Sequence, residues 1–223
     1  MITHNWTSGS SYTARMRPGP TEKGRATRQR IIEGAAQEVR ARGIANTSLD
    51  DVRSVTNTSK SQVFHYFPEG KTQLLLAVAQ HEADLVLADQ QPHLDNLGSW
   101  RAWEAWRNLV VDRYRQQGQH CPLSVLVSQL GPSEPSVRAV VVDLLDRWED
   151  RIADGIRRMQ GQGKIAPRLN AERTAAALLA GIQGGVLVML ATGRMTHLEA
   201  ALDQAIERLR DSTRQQPPAT VSR

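Results

Sequence analysis

The sequence predicts an all-α protein of nine helices in two parts. A three-helix N-terminal helix-turn-helix domain is expected to precede a larger helical domain. Three observations carry that reading. The long periodic stretches are built from Ala, Leu, Arg, Glu, Asp and Gln, all helix formers, and the prolines avoid them. Hydrophobic residues reach 40% while aromatics stay at 4%, enough for a sizeable core that must be aliphatic. No stretch reads convincingly as a strand.

The elements follow in order. Residues 26–42 place Ile31, Ile32, Ala35, Ala36 and Val39 at helical spacing, and Gly43 supplies the stop. Thr47 or Ser48 caps a short helix reaching about Val55, with Asp50 and Asp51 well placed in its first turn. Thr56-Asn57-Thr58 breaks the chain, and Asn tolerates the left-handed conformation of a tight turn. Ser59 caps a third helix through Phe67, and a fourth starts near Lys71 with Leu74, Val78, His81 and Leu85 on one face. Further helices are expected at about 99–117, 122–130, from Val137 to Gly161, at 171–192 and at about 195–211. The boundaries read as a flexible basic arm at 1–24, the helix-turn-helix domain at 25–70, the larger helical domain at 71–212, and a disordered tail at 213–223.

Charge divides the chain in the same place. Residues 1–71 hold 11 Lys and Arg against 6 Asp and Glu, whereas residues 72–223 hold 17 of each. The excess therefore sits in the first third, as for a segment that meets a polyanion. Twenty-four of the 28 basic residues are Arg, which suits bidentate contact with phosphate or guanine. A GC-rich genome explains the same ratio. One cysteine excludes a disulfide framework and four-cysteine zinc sites. No secretory signal is visible. The 20 uncharged residues from Thr174 to Gly193 are long enough to span a membrane, but Ala and Gly dominate them and Gln183 interrupts them. A buried helix in a cytoplasmic protein without a membrane partner is expected.

Two short helices joined by a three-residue turn, behind a longer helix in a basic segment, form a helix-turn-helix pattern. Leu49, Val52, Val55, Val63, Phe64 and Phe67 are expected on its buried side. Ser59, Lys60, Ser61, Gln62, His65 and Tyr66 are expected on the outward side, facing double-stranded DNA. A Gln side chain can pair bidentately with adenine, while Lys60 and Tyr66 can reach phosphate oxygens.

Residues 28–78 resemble the DNA-binding region of the TetR family of bacterial transcriptional regulators. The resemblance rests on Thr47-Ser48-Leu49-Asp50-Asp51-Val52 and on TSKSQVFHYFPEGK from Thr58 to Lys71, ending at Leu74-Leu75. Val63 to Pro68 looks like the family's ending of the third helix, and Lys71 like the lysine that opens the fourth. The usual turn glycine is Asn57 here, the hydrophobic after it is Thr58, and an extra residue separates Pro68 from Lys71. That last feature, with Cys121-Pro122, resembles the branch of the LmrA-type multidrug-resistance repressors. These departures put any borrowed operator sequence in doubt. With Thr47, Ser48 and Lys71 added, the DNA-contacting set becomes Thr47, Ser48, Ser59, Lys60, Ser61, Gln62, His65, Tyr66 and Lys71.

The resemblance implies a homodimer that sets two recognition helices in successive major grooves, about 34–36 Å apart. The apolar helix with Gly181 and Gly185 four apart, together with Val186 and the stripe Leu198, Leu202 and Leu209, offers such a surface. The alternative is that this helix is the subunit's own core. The resemblance also implies a pocket for a small-molecule effector, aromatic or apolar, for which Trp100, Trp103, Trp106, Tyr114 and Trp148 are candidates. The alternative for them is plain core packing.

No catalytic set, metal-ligand spacing or cofactor motif stands out. Cys121 reads as a small buried hydrophobe, His81 as a packed histidine, and the acidic residues after Asp143 as a solvated face opposing Arg147 and its neighbours. The function expected is therefore a ligand-released DNA-binding repressor that is not an enzyme. The alternative is a helical carrier or enzyme with an incidental basic N-terminus, which would need neither the charge partition nor the helix-turn-helix face.

Overall fold

Three hydroxyl side chains decide where the first helices begin. Thr21 accepts from Gly24 N at 3.1 Å and opens α1 (Glu22–Arg42). Ser48 opens α2 (Leu49–Thr56) and Ser59 opens α3 (Lys60–Tyr66), each through a reciprocal capping box. The computed structural model describes residues 21–118 and 135–214. Beyond α3 come α4 (Lys71–Ala88), a 3-10 turn (Leu94–Asn96), α5 (Trp100–Gln117), α6 (Pro135–Gly161), α7 (Ala171–Thr192) and α8 (Thr196–Arg214).

The described residues thus form eight helices and no strand. The helix expected at 122–130 lies outside them, as do Cys121 and the cations Arg15 and Arg17 of the expected basic arm. The first helix starts earlier than its apolar stripe predicts, because Thr21 supplies the cap. Lys23 and Arg25 consequently lie on α1.

Two apolar clusters share one helix. Ile31, Ile32, Ala35 and Ala36 of α1 pack with Val52, Val63 and Phe67 of α2 and α3, and Leu74 and Val78 of α4 close this cluster. The later turns of α4, at Ala83 and Leu87, belong instead to the larger cluster formed with α5 to α8. Ala79 packs with Val137 and Val141 of α6 between the two. α4 therefore joins both parts as one rigid rod about 27 Å long, at 1.5 Å per residue.

Helical period corrects two expected core positions. Val52 and Thr56, four apart, take the buried face of α2, leaving Val55 51% exposed. Val63 and Phe67 do the same for α3, so Phe64 is 42% exposed. The α1–α2 contact is close: a Cβ built on Gly34 would lie 2.2 Å from Thr56 Cγ2.

The long uncharged stretch is α7, whose buried face runs through Ala175, Leu178, Ile182, Val186 and Met189. It lies against α8 so tightly that a Cβ on Gly185 would come within 2.5 Å of Leu198 Cα. Gly185, Val186, Leu198, Leu202 and Leu209 are all buried within the subunit. The residues expected at a dimer surface are thus occupied in packing α7 on α8. Gly181 is half-buried, with Ala201 Cβ 3.4 Å from where its own would stand. The other side of α7 leaves Ala177, Ala180, Gly184, Leu187 and Ala191 exposed, Leu187 by 68%.

Candidate DNA-reading face and adjoining cavity

The turn between α2 and α3 has the geometry its sequence anticipates. Asn57 takes the left-handed conformation (φ 50°, ψ 49°), and its N–H returns to the carbonyls of Arg53 and Ser54. Thr56 and Thr58 are buried beside it with their hydroxyls 2.8 Å apart, and Thr56 Oγ1 also donates to Val52 O. This polar pair closes the turn, so the departure from the family's glycine is accommodated locally.

α3 presents Lys60, Ser61, Gln62 and His65 to solvent, preceded by exposed Ser59. Lys60 makes no ion pair among the described residues. Gln62 also works inside the helix: its Oε1 accepts from Ser59 N at 2.9 Å, and its own N–H donates to Ser59 Oγ at 3.2 Å. His65 meets Tyr66 edge to face at 4.8 Å. Tyr66 is half-buried against the first cluster, and the Arg28 guanidinium lies 5.3 Å from the centre of the Phe67 ring.

The remaining expected contacts are placed differently. Thr47 is buried, and its hydroxyl donates to Gly43 O at 2.9 Å, bracing the α1–α2 loop. Ser48 is exposed and caps α2 against Asp51. The hydroxyl and backbone hydrogen bonds from Ser48 hold the Asp51 carboxyl below its ordinary pKa, with Arg42 and Lys71 adding attraction. Lys71 Nζ donates to Ile44 O at 2.9 Å, which leaves two of its three hydrogens for a phosphate. Sequence reasoning placed Phe64 on the buried side, where the structure exposes it, and did not single out Arg28. The 3.6-residue period read from Val63 alone would have found Phe64.

A cavity of about 310 Å³ lies among α1, α4, α5 and α6. Of the five expected aromatic residues, Tyr114 and Trp148 line it. Trp103 and Trp106 are fully buried in the core, edge to face at 5.8 Å, with Trp106 Nε1 donating to Gln90 Oε1 at 2.9 Å. Trp100 is half-buried under the guanidinium of Arg210 on α8. The rest of the wall was not anticipated: Leu85, Val86, Leu109 and Val110 supply apolar surface, and Arg40, Glu82, Asp89 and Arg113 supply charge. The charges pair as Arg40 with Glu82 and Arg113 with Asp89. A readable signal existed, because Glu82 follows Leu74 and Val78 on the buried stripe of α4, where an acidic residue needs a partner. Among the described residues no cluster of three His, Cys, Asp or Glu side chains could hold a metal.

A short capped helix with a polar outer face, docked beside a helical body that holds a half-open cavity, defines a helix-turn-helix DNA-binding protein with an appended helical domain. Residues 31–78 match the family of bacterial regulatory proteins of the tetR type, and residues 100–205 match the tetracyclin repressor-like C-terminal domain. The chain belongs to the TetR family of transcriptional regulators. It is 28% identical over 148 residues to an HTH-type transcriptional regulator of Mycobacterium tuberculosis, covering 58% of this chain and 71% of that one. A TetR transcriptional regulator from Chloroflexus aurantiacus superposes with a TM-score of 0.73 at 24% identity, over 88% of this chain and 98% of the other. A transcriptional regulator from Saccharomonospora viridis, solved in complex with choline, superposes with a TM-score of 0.65 at 26% identity, over 82% and 96%. These matches stop at the family and do not assign the LmrA-type branch.

Proposed function

We propose that the chain is a repressor that binds a pseudo-palindromic operator as a homodimer and leaves it when a small molecule fills the cavity. The carrying observation is the position of α4, which closes the core behind the recognition helix with Leu74 and Val78 and walls the cavity with Glu82, Leu85 and Val86. A ligand that binds one placement of α4 better than another shifts the placement of α3 by the same free energy. The Saccharomonospora viridis regulator solved in complex with choline supports a small-molecule effector.

In this reading residues 25–70 read DNA in the cytoplasm and residues 71–212 bind ligand and pair the subunits. Lys60, Ser61, Gln62 and His65 face the major groove, with Ser59 and Tyr66 at the helix ends and Lys71 and Ser48 near the backbone. The exposed stripe of Ala177, Ala180, Gly184, Leu187 and Ala191 is the pairing surface, since the opposite face of α7 is already occupied by α8. The effector is a small organic molecule with an apolar body. Family membership leaves little for the carrier or enzyme alternative to explain.

The test is direct. Val110→Trp fills the cavity from α5 without touching α3. It should leave specific DNA affinity in place or lower it as ligand does, and abolish response to an effector found by screening. An unchanged response would place the effector elsewhere.

A further inference from the structure

Two buried polar atoms of the cavity's residues have no hydrogen-bond partner among the described residues: Glu82 Oε2 and Trp148 Nε1. The Glu82 side chain is 4% exposed and Trp148 is 1% exposed. An acceptor and a donor kept out of water without partners are costly to the folded chain, and the cost is greater for a carboxylate than for a neutral group. The other polar groups of the wall are provided for. Arg113 is paired with Asp89, and Gln90 is held by Trp106 Nε1 and Val86 O. Among the lining residues, one carboxylate oxygen and one indole N–H therefore lie unpartnered beneath the cavity surface.

Glu82 also spans the boundary between the two parts. Its other oxygen accepts from the guanidinium of Arg40, near the C-terminal end of α1, so one carboxylate serves both the recognition domain and the cavity. Arg40 is partly exposed, with 32% of its side chain open to solvent, and can return to water if its partner is taken.

We propose that the cavity binds a compact organic cation bearing N–H donors, such as an amidinium or a protonated amine, and that this cation takes the Glu82 carboxylate from Arg40. The inference rests on the cavity reading given above and adds the ligand's chemistry and the contact through which it acts. The ligand's donors meet the Glu82 carboxylate as it turns from Arg40 into the cavity, and its apolar body lies against Leu85 and Val110. The volume suits roughly a dozen non-hydrogen atoms. Ligand binding exchanges one charged hydrogen bond for another, so the two states lie close in free energy. The released Arg40 unties α1 from α4, and couplings of this kind change affinity at the second site by about 5- to 150-fold.

The probes are 4-methoxybenzamidine and its neutral analogue 4-methoxybenzamide, titrated calorimetrically into the full chain, alone and with DNA selected by the protein. The amidinium should bind at least tenfold more tightly than the amide and should lower DNA affinity at least fivefold. Glu82→Gln should erase the preference for the cation. Arg40→Ala should strengthen amidinium binding, because no internal cation has to leave, while DNA affinity stops responding to it. Should Arg40→Ala not fold, Arg40→Lys, which keeps a charge but loses the guanidinium fork, should show the same tightening in weaker form. Equal binding of the two probes, or a cation preference that survives Glu82→Gln, overturns the role of Glu82 and leaves the cavity as a site. Weaker amidinium binding to the Arg40 variants overturns the exchange. Failure of both probes to bind overturns the inference, while the cavity reading stands or falls with Val110→Trp and the screened effector.

Discussion

Gln62 and Ser59 hold each other: Gln62 Oε1 accepts from Ser59 N at 2.9 Å, while Ser59 Oγ accepts from Gln62 N at 3.2 Å. The glutamine best suited to read a base also secures the first turn of the helix that carries it. Base reading and helix start are therefore coupled in one side chain. Substitutions at this position have to separate them. Gln62→Ala should shift base preference by about 1–3 kcal/mol at one base pair per half-site and lower the melting temperature slightly. Gln62→Glu keeps the capping acceptor, so stability should hold while DNA affinity falls. Equal melting temperatures for wild type and Gln62→Ala would show that the capping bond contributes nothing.

The two lysines at the DNA face should behave differently. Lys60 is exposed at the first turn of α3, so Lys60→Ala should weaken binding to all sequences alike and flatten the dependence of log affinity on log salt by roughly one unit per half-site. Lys71→Ala removes the bond to Ile44 O as well, so it should also cost about 1 kcal/mol of stability. Urea unfolding alongside the salt titration distinguishes the two.

Gly34 faces Thr56 too closely for any side chain, with Cγ2 2.2 Å from the position of a Cβ. Gly34→Ala should destabilise the chain by about 1–3 kcal/mol through overpacking. Adding Thr56→Ser removes the opposing methyl and keeps the hydroxyl bonds to Val52 O and Thr58, so the double variant should recover much of the loss in urea unfolding. No recovery would mean that the strain arises elsewhere.

The two faces of α7 give a paired prediction. Gly185→Leu drives a side chain into the backbone of Leu198 and should lower subunit stability, whatever the oligomeric state. Leu187→Glu, on the exposed face, should leave stability nearly unchanged and yield monomers in light scattering. A dimeric Leu187→Glu variant would move the pairing surface off this stripe.

Asp51 supplies a pH signature. Its folded pKa lies below the unfolded value, so its stabilising contribution is present above the ordinary carboxylate range and is lost as pH falls through the folded pKa. Ser48→Ala removes the hydroxyl bond that is the largest cause, and the Asp51 carboxyl resonance should then titrate nearer its ordinary value. A titration unaffected by this substitution would assign the shift to the Ser48 backbone N–H, which the variant keeps, with Arg42 and Lys71.

Much of the fold was legible because capping and apolar period are local. The stop at Gly43, the turn at Asn57 and the bounds of α7 follow from neighbours in sequence. The cavity was not legible, because its wall joins Arg40, Glu82, Arg113 and Trp148 from four helices, and no local rule brings these together. The tryptophans misled for the same reason: residue type marked them as ligand groups, whereas Trp103 and Trp106 were claimed by the core. Gly185 shows a third limit. A small residue announces close approach of a helix but not which helix approaches, and here α8 of the same chain fills that place.

The central claim is that the outward face of α3 reads a DNA sequence. It is tested most directly by selecting bound fragments from a random duplex pool with the full chain and with Gln62→Ala, at two salt concentrations, and sequencing them. A pseudo-palindrome with half-sites one helical turn apart should be enriched for the wild type, and one position in each half-site should change in the variant. A pool with no enriched sequence, or a motif identical in both proteins, would contradict it.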